Sequence, residues 1–382
     1  MKNMPPTAMS KDTAKAATLY MAIEMSSKTW KIAFGDGSLK ARQVDVAALD
    51  YARLCEEVCA AKRRFKLAAA ARVVSLYEAG RDAFEPHRAL TAMGIENLVV
   101  DSSSIQVDRR AKRAKTDRLD AERLLVQLIR YDQGEKSLLR VVKVPTRDQE
   151  DARRVPREIE RLKKERTALH NRVTGLLAGV GVRRKVKVGL ITLLENLDDV
   201  RLFDREPLPA NLRAELERDS LRLAIVTGQI RDLEKASRLC AAKPQDDRAR
   251  KIAKLQSLKG VGNRGALILV SEFGWREFRN RKQVAACAGL CGTPYDSGES
   301  RWDQGISKAG NRRVRTLMIE IAWFWLRYQP ASALARWWTR RFAPGGKRLR
   351  RVGIVALARK LLIALWRFME AGVVPEGAEL AA

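Results

Sequence analysis

The order of apolar segments in residues 18–132 most strongly limits how this chain can fold. Three strand-like segments come first, and a Ser-Ser-Lys turn between the first two is typical of a hairpin. The predicted strands are Leu19–Met25, Thr29–Phe34, Lys40–Val46, Arg72–Leu76 and Asn97–Val100, and the predicted helices are Val46–Arg64, Asp82–Met93 and one within Arg109–Leu125. This β-β-β-α-β-α-β-α order predicts an α/β domain with a mixed sheet, which we expect to span residues 18–140.

Four carboxylates fall at the strand ends, where sheets of this kind collect their ligands. Glu24 ends the first strand, Glu78 follows the fourth, and Asp117 and Asp120 lie three residues apart on one face of the last helix. Hard divalent cations such as Mg²⁺ take oxygen ligands and bridge them to phosphates. Acids placed on three separate elements are typical of a ribonuclease-H-like nuclease.

Each of these acids also has a plainer interpretation. Glu24 could face solvent from an edge strand, and Glu78 could pair with Arg81. Asp117 and Asp120 could be ordinary acids of a first helical turn, where capping and the helix dipole favour them. The residues alone leave both interpretations open.

The chain carries far more positive than negative charge. It has 74 Lys and Arg against 45 Asp and Glu, a formal net charge of +29 over 382 residues. Because this excess is spread along the whole chain, we expect a polyanionic partner, namely nucleic acid. A cationic run before the acidic helix is a predicted nucleic-acid-binding segment; its members are Arg109, Arg110, Lys112, Arg113 and Lys115.

Other classes of protein fit the composition poorly. The sequence has no run of 18 apolar residues and no secretory signal, so we expect no membrane partner. The five Cys form no disulfide framework, and the two His lie near neither Cys pair, which argues against structural zinc. Reduced cysteines fit a bacterial-type cytoplasm. Residues 1–17 are small and polar, and we expect a disordered tail there.

Residues 141–245 have a helical pattern. Two strings of apolar residues recur at spacings of four and three among charged residues, which is typical of coiled-coil helices. The strings are Val155, Ile159, Leu162, Leu169, Val173 and Leu176, and then Leu212, Leu216, Leu223, Val226, Ile230, Leu233 and Cys240. They predict either a hairpin within one chain or a coiled coil across a dimer interface.

Residues 246–382 predict a mainly α-helical domain. Helical segments flank Lys259–Asn263 (KGVGN), and Gly-x-Gly between short helices is typical of a helix-hairpin-helix, whose turn exposes backbone N–H groups. Thr293–Ser307 is polar and bears glycines, which predicts a hairpin or loop. The following apolar helices contain tryptophans that we expect in the core; they are Trp323, Trp325, Trp337, Trp338 and Trp366.

Four motifs resemble those of a known family. They are Tyr77–Asp82 (YEAGRD), Gly94–Ser104 (GIENLVVDSSS), Lys115–Ala121 (KTDRLDA) and Ser297–Asn311, which ends in ISKAGN. They are similar to motifs of the DEDD transposases of bacterial insertion sequences, in particular the IS110 family and its IS1111 branch. The similarity extends over residues 18–370. It implies a RuvC-like N-terminal domain, a coiled-coil dimerisation region and a C-terminal transposase domain.

The resemblance also assigns roles to individual residues. It implies Glu24, Glu78, Asp117 and Asp120 as the catalytic ligands of Mg²⁺. The family's first acid is usually Asp, so Glu24 is a departure that lengthens this side chain by one methylene. The resemblance further implies Ser297 as a catalytic nucleophile, and the alternative candidates are Ser300 and Ser307.

The function implied is that of an RNA-guided DNA recombinase. A structured noncoding RNA from the element would direct strand exchange between donor and target DNA by a homodimer or homotetramer in the bacterial cytoplasm, at the nucleoid. A serine that attacks a phosphodiester needs the developing charge on phosphorus balanced. Nearby residues expected to contact nucleic acid are Arg301, Lys308, Asn311, Arg312 and Arg313.

Two other functions remain open from the sequence. A Holliday-junction resolvase would use water and the acids, which leaves Ser297 without a role. A non-catalytic nucleic-acid-binding relative would explain the departure at Glu24.

Overall fold

The computed structural model describes residues 17–80, 84–105, 117–182, 194, 196–240, 247–298 and 300–381. The chain divides into two compact units, residues 1–145 and 146–382. Residues 1–16 of the expected tail lie outside the described residues, as does the predicted cationic segment, namely Arg109, Arg110, Lys112, Arg113 and Lys115.

A five-stranded mixed sheet forms the centre of the described part of the first unit. Its strands are β1 (Thr18–Met25), β2 (Thr29–Gly35), β3 (Arg42–Ala47), β4 (Arg72–Glu78) and β5 (Glu96–Val100), in the order β3-β2-β1-β4-β5. The pairs β1–β2 and β2–β3 are antiparallel, whereas β1–β4 and β4–β5 are parallel. The predicted hairpin, the order of elements along the chain and the mixed sheet are therefore confirmed, and the sheet is compatible with a ribonuclease-H-like domain.

Helices cover both faces of this sheet. They are α1 (Tyr51–Arg64), α2 (Glu85–Ala92) and α3 (Asp117–Asp132). One face packs against α1 and α2 through residues such as Leu54 and Leu90, and the other packs against α3 through Leu124 and Leu128. Since β1 lies between two covered faces, its residues from Leu19 to Ile23 are all buried, which explains their continuous apolar run.

Two expectations for the first unit were wrong. The first helix begins at Tyr51 rather than Val46, because Val46 belongs to β3 and Asp50 caps the helix by accepting a hydrogen bond from the Arg53 backbone N–H. The edge-strand interpretation of Glu24 also fails, because β1 is the central strand of the sheet.

The second unit begins with a pair of long helices that pack against each other. Its first helices are α4 (Arg147–Asp151), α5 (Arg154–Gly179) and α6 (Ala210–Cys240). Leu162 of α5 packs with Val226 and Ile230, and Val173 clusters with Leu223, so the two apolar strings meet within one chain. The chain therefore forms the hairpin, one of the two arrangements that the sequence left open.

A buried carboxylate interrupts the second apolar string. Asp219 is fully buried on α6, between Leu216 and Leu223. It pairs with Arg172 of α5 at 2.9 Å and with Arg222 at 3.1 Å. Because an unpaired buried charge is costly, this ion pair fixes which residues of α5 face α6.

The rest of the second unit is mainly helical, as predicted. Its elements are α7 (Asp247–Gln256), α8 (Gly262–Leu269), a π-helical turn (Val270–Gly274), α9 (Arg281–Cys287), β6 (Gly292–Ser297), β7 (Ser300–Ile306), α10 (Arg312–Tyr328), α11 (Ala333–Phe342) and α12 (Lys347–Ala371). Gly260 in the turn between α7 and α8 has a φ of +91°, and Gly262, which begins α8, has a φ of +66°; glycine tolerates such values best.

The tryptophans of the second unit do not all lie in its core. Trp325 is fully buried among residues of α8, α10 and α12, and Trp338 is nearly so. Trp337 and Trp366 are partly buried against the same core. Trp323 is 47% exposed on α10, so the prediction of a core position was wrong for this residue.

Candidate active site

Glu24 and Glu78 lie at the carboxyl ends of two neighbouring parallel strands. The register pairs Ile23 of β1 with Tyr77 of β4, so the two glutamates come next in register. Side chains alternate along a strand, and Ala22 and Leu76 pack on the face covered by α3. Glu24 and Glu78 therefore belong to the α3 face, where Glu24 is half-buried and Glu78 is exposed.

The start of α3 lies at the same end of the sheet. The Tyr20 hydroxyl, near the beginning of β1, donates a hydrogen bond to Asp132 at the end of α3 (2.9 Å). Since α3 packs along β1, its beginning lies toward the carboxyl end of β1, with Ala121 buried on the sheet. Asp120 is half-buried there, 3.6 Å from Arg123. Asp117 is the first residue of α3, and its side chain lies outside the described residues.

The described acids share one end of the sheet without forming a closed cluster. Among described residues, no group of three or more His, Cys, Asp or Glu side chains is close enough to hold a metal ion. All the candidate ligands here are carboxylates, the donor type that Mg²⁺ prefers.

Ser297 ends β6 at the tip of an exposed hairpin. It pairs in register with Ser300, the first residue of β7, across a two-residue turn. Gly298 opens that turn with a φ of +57°, the positive value that short hairpin turns require. Both serines are exposed, and Arg301 lies 3.5 Å from Asp296 on the strands beside them. The third candidate, Ser307, follows β7 at the base of the hairpin, where its backbone N–H bonds to Cys291.

The segment that follows the hairpin is held tightly in place. Lys308 has a φ of +56° and Gly310 a φ of +127°. A Cβ at Gly310 would lie 2.5 Å from the Cys287 carbonyl oxygen, so only glycine fits there. Asn311 caps α10 by accepting hydrogen bonds from the backbone N–H groups of Arg313 and Val314.

The predicted nucleic-acid-binding residues of this segment differ in their surroundings. Both polar atoms of the Asn311 side chain are bonded within the protein. Its Oδ1 accepts the capping hydrogen bonds, and its Nδ2 donates one to Glu272 (3.0 Å). Arg313 pairs with Glu160 of α5 at 2.8 Å. Lys308 and Arg312 are exposed. We infer that the last two are better placed for a phosphate than Asn311.

Sequence reasoning missed the carboxylate that anchors this segment. Glu272 is 2% exposed in the π-helical turn and accepts two bonds from Arg157, at 2.7 and 3.0 Å. Burial alone would raise the pKa of the Glu272 carboxyl, but hydrogen bonds from Arg157 and Asn311 hold it below its usual range. An acid inside an apolar helical run was the available signal in the sequence.

Comparison with known proteins identifies the family. A family model for IS116/IS110/IS902 transposases matches residues 252–337, which include the hairpin and the segment after it. A predicted transposase of Sinorhizobium fredii is 41% identical over 387 residues, covering 98% of this chain and 96% of that protein. The chain belongs to the IS110 family of transposases.

Two further relatives align with parts of this transposase. The transposase for insertion sequence element IS1111A of Coxiella burnetii is 28% identical over 243 residues, 63% of each chain. A predicted family 20 transposase of Pseudomonas aeruginosa is 30% identical over 236 residues, 60% of this chain and 67% of that protein. As a transposase, the protein acts on DNA. In the described part of the chain, no helix is long and apolar enough to span a bilayer.

Proposed function

We propose that this transposase cuts and rejoins DNA through a covalent phosphoserine at Ser297. The supporting observation is the exposed position of Ser297 beside Gly298 at the hairpin tip. The space beside Gly298 is open, since a Cβ there would meet no described atom within 4 Å. The sequence around Ser297 also carries the family resemblance.

The chemistry proceeds in two balanced steps. Ser297 Oγ loses its proton and attacks phosphorus; the P–Oγ bond forms, the bond from phosphorus to the bridging sugar oxygen breaks, and that oxygen takes up a proton. A sugar hydroxyl of the recombining strand then attacks the same phosphorus, and Ser297 leaves and regains a proton. Each broken phosphodiester is replaced by another, so no nucleotide hydrolysis is needed.

The charge that develops on phosphorus has to be balanced from outside the hairpin. Arg301 is the only cation between residues 292 and 306, and Asp296 lies beside it. Lys308 and Arg312 follow the base of the hairpin, and six strand residues of about 3.4 Å each put that base about 20 Å from the tip. At that distance they would contact backbone phosphates several nucleotides away from the reacting one.

The four acids of the first unit are the proposed ligands of a metal ion that would supply positive charge. Glu24, Glu78, Asp117 and Asp120 would hold Mg²⁺, since all four offer oxygen ligands and the described three share one end of the sheet. When bound, Mg²⁺ would neutralise phosphate charge and polarise an oxygen.

Guide RNA is part of this proposal. The net charge of +29 suits two polyanionic partners, a structured noncoding RNA and the donor and target DNA. We infer a homodimer or homotetramer that acts at the nucleoid in the bacterial cytoplasm, because strand exchange joins two DNA molecules and requires paired active sites.

Reconstituted recombination tests this function. Purified protein, the noncoding RNA transcribed from the element flanks, and labelled donor and target DNA should give recombinant product with Mg²⁺. Omitting the RNA or adding EDTA should remove the product. Cleavage of a four-way junction without RNA, retained by Ser297→Ala, would instead favour a resolvase that uses water.

A further inference from the structure

Two aromatic residues lie on the same face of the hairpin as Ser297. The register pairs Tyr295 with Trp302 and Ser297 with Ser300. Opposite residues of antiparallel strands share a face, and residues two apart in a strand return to it. The aromatic pair and Ser297 are therefore on one face, about 7 Å apart along β6.

The aromatic pair is stacked but remains open to solvent. The ring centroids of Tyr295 and Trp302 are 3.9 Å apart and the planes differ by 18°. Tyr295 is 39% exposed and Trp302 is 51% exposed. The stack supports a hairpin that would be marginal alone, and it also presents a flat outer ring face.

The charged residues of the described strands β6 and β7 lie away from this face. Asp296 and Arg301 form one register pair, and Asp303 lies two residues further along β7, so all three alternate to the opposite face. Residues 292–306 contain Asp296, Glu299 and Asp303 against Arg301. A phosphate backbone laid along the hairpin would meet more acids than cations. An uncharged planar group suits the aromatic face instead, and a nucleobase is such a group.

We propose that the Tyr295–Trp302 stack binds one unpaired nucleobase of the DNA strand that Ser297 attacks. This inference rests on the proposed function and adds that the reacting strand is locally unpaired. The base extends the stack on the outer ring face and places its neighbouring phosphate at the level of Ser297. Tyr295 and Trp302 are positioning residues, since they hold the strand without touching phosphorus.

Binding to DNA with and without an unpaired base tests the stack. Full-length protein is titrated against fluorescent duplexes of equal length, one fully paired and one with a single-base bulge, in the Ser297→Ala background so that no chemistry occurs. The background should prefer the bulged duplex. Adding Trp302→Ala or Tyr295→Ala should weaken binding to the bulge about 5- to 150-fold, the range for one stacked base, and leave the paired duplex unchanged.

Two further variants separate stacking from folding. Trp302→Phe keeps a ring and should retain most of the preference for the bulged duplex. The quenching of tryptophan fluorescence that a stacked base causes at Trp302 should disappear in this variant. Trp323→Ala removes a comparably exposed indole from α10 and should leave the preference intact. Trp302→Phe, which keeps a ring in the stack, should melt like the parent.

The results distinguish this proposal from the nucleophile assignment. No preference for the bulge, or equal losses on both duplexes, overturns base stacking whatever Ser297 does. A preference that depends on Trp302, found together with a covalent adduct in Ser297→Ala, would keep the stack and overturn the nucleophile.

Discussion

Arg157 and Glu272, 115 residues apart in sequence, form a two-bond ion pair inside the second unit. Glu272 also accepts a bond from Asn311, the cap of α10. One buried carboxylate therefore joins the long helix α5 to the segment that follows the hairpin. The position of that segment therefore depends on the Glu272 carboxyl remaining ionised.

Replacing this carboxylate should destabilise the second unit. Glu272→Gln keeps the shape but loses the charge, and we expect a loss of about 1.5–3 kcal/mol in the free energy of unfolding at pH 7. Chemical denaturation measures it. Glu320→Gln, in a half-exposed pair with Arg264 at 3.1 Å, is the matched control and should cost less than about 1 kcal/mol.

The same carboxylate predicts a pH dependence. The folded state holds the pKa of Glu272 below its ordinary value of 4.5, so its contribution is present above that value and is lost as pH falls through the lowered pKa. The difference in unfolding free energy between parent and Glu272→Gln should shrink below pH 4.5. A difference that stays constant down to pH 3 would contradict this account.

The buried seam between α5 and α6 gives another prediction. Ile230→Glu puts a charge where the side chain is 3% exposed, so we expect a loss of at least about 2 kcal/mol. Ile225→Glu, on the same helix but 61% exposed, should change stability by less than about 0.5 kcal/mol. Leu169→Glu, at a partly buried position of the same seam, should cost less than Ile230→Glu. Because the seam lies within one chain, the difference in unfolding free energy between each variant and the parent should not depend on protein concentration.

Much of the first unit was predictable from sequence, and the reasons are local. Central strands buried on both faces need continuous apolar runs, and β1 and β4 have them. The role of Glu272 was not predictable, because it depends on Arg157 from a distant helix. That Tyr295 and Trp302 lie opposite each other could not be predicted, because it depends on the register of β6 and β7. A polar stretch that contains glycines does not specify this register. Trp323 has an apolar neighbourhood in sequence yet lies on the exposed side of α10.

Removing a carboxylate from the acidic end of the sheet should stop recombination without unfolding the protein. Asp117→Asn and Asp120→Asn each keep the side-chain shape and lose a charged ligand. We expect melting temperatures equal to or above that of the parent, since repulsion between the acids is relieved. Retained Mg²⁺-dependent product in the double variant would remove both residues from the site. Mixing Asp117→Asn subunits with Ser297→Ala subunits tests whether one active site is built from two chains. Recombinant product from the mixture would show that it is, since only then does one site contain both Asp117 and Ser297.

Binding to nucleic acid should weaken steeply with salt. The net charge of +29 predicts many phosphate contacts, and the logarithm of the affinity should fall linearly with that of salt concentration, by about 0.9 per duplex phosphate neutralised. Lys308→Ala and Arg312→Ala should each remove one phosphate contact. The magnitude of this slope should then fall by about one, whatever the DNA sequence. A slope near zero for the parent would contradict phosphate-dominated binding.

The most direct test of the central claim is a search for DNA covalently attached to Ser297. Protein, guide RNA, Mg²⁺ and end-labelled donor and target DNA are incubated, then denatured and separated by electrophoresis. The parent should carry label on the protein, and peptide mapping should place it at Ser297. Ser297→Ala should bind both nucleic acids yet give neither adduct nor recombinant product. An adduct of undiminished yield in Ser297→Ala would contradict the assignment and direct attention to Ser300 or Ser307.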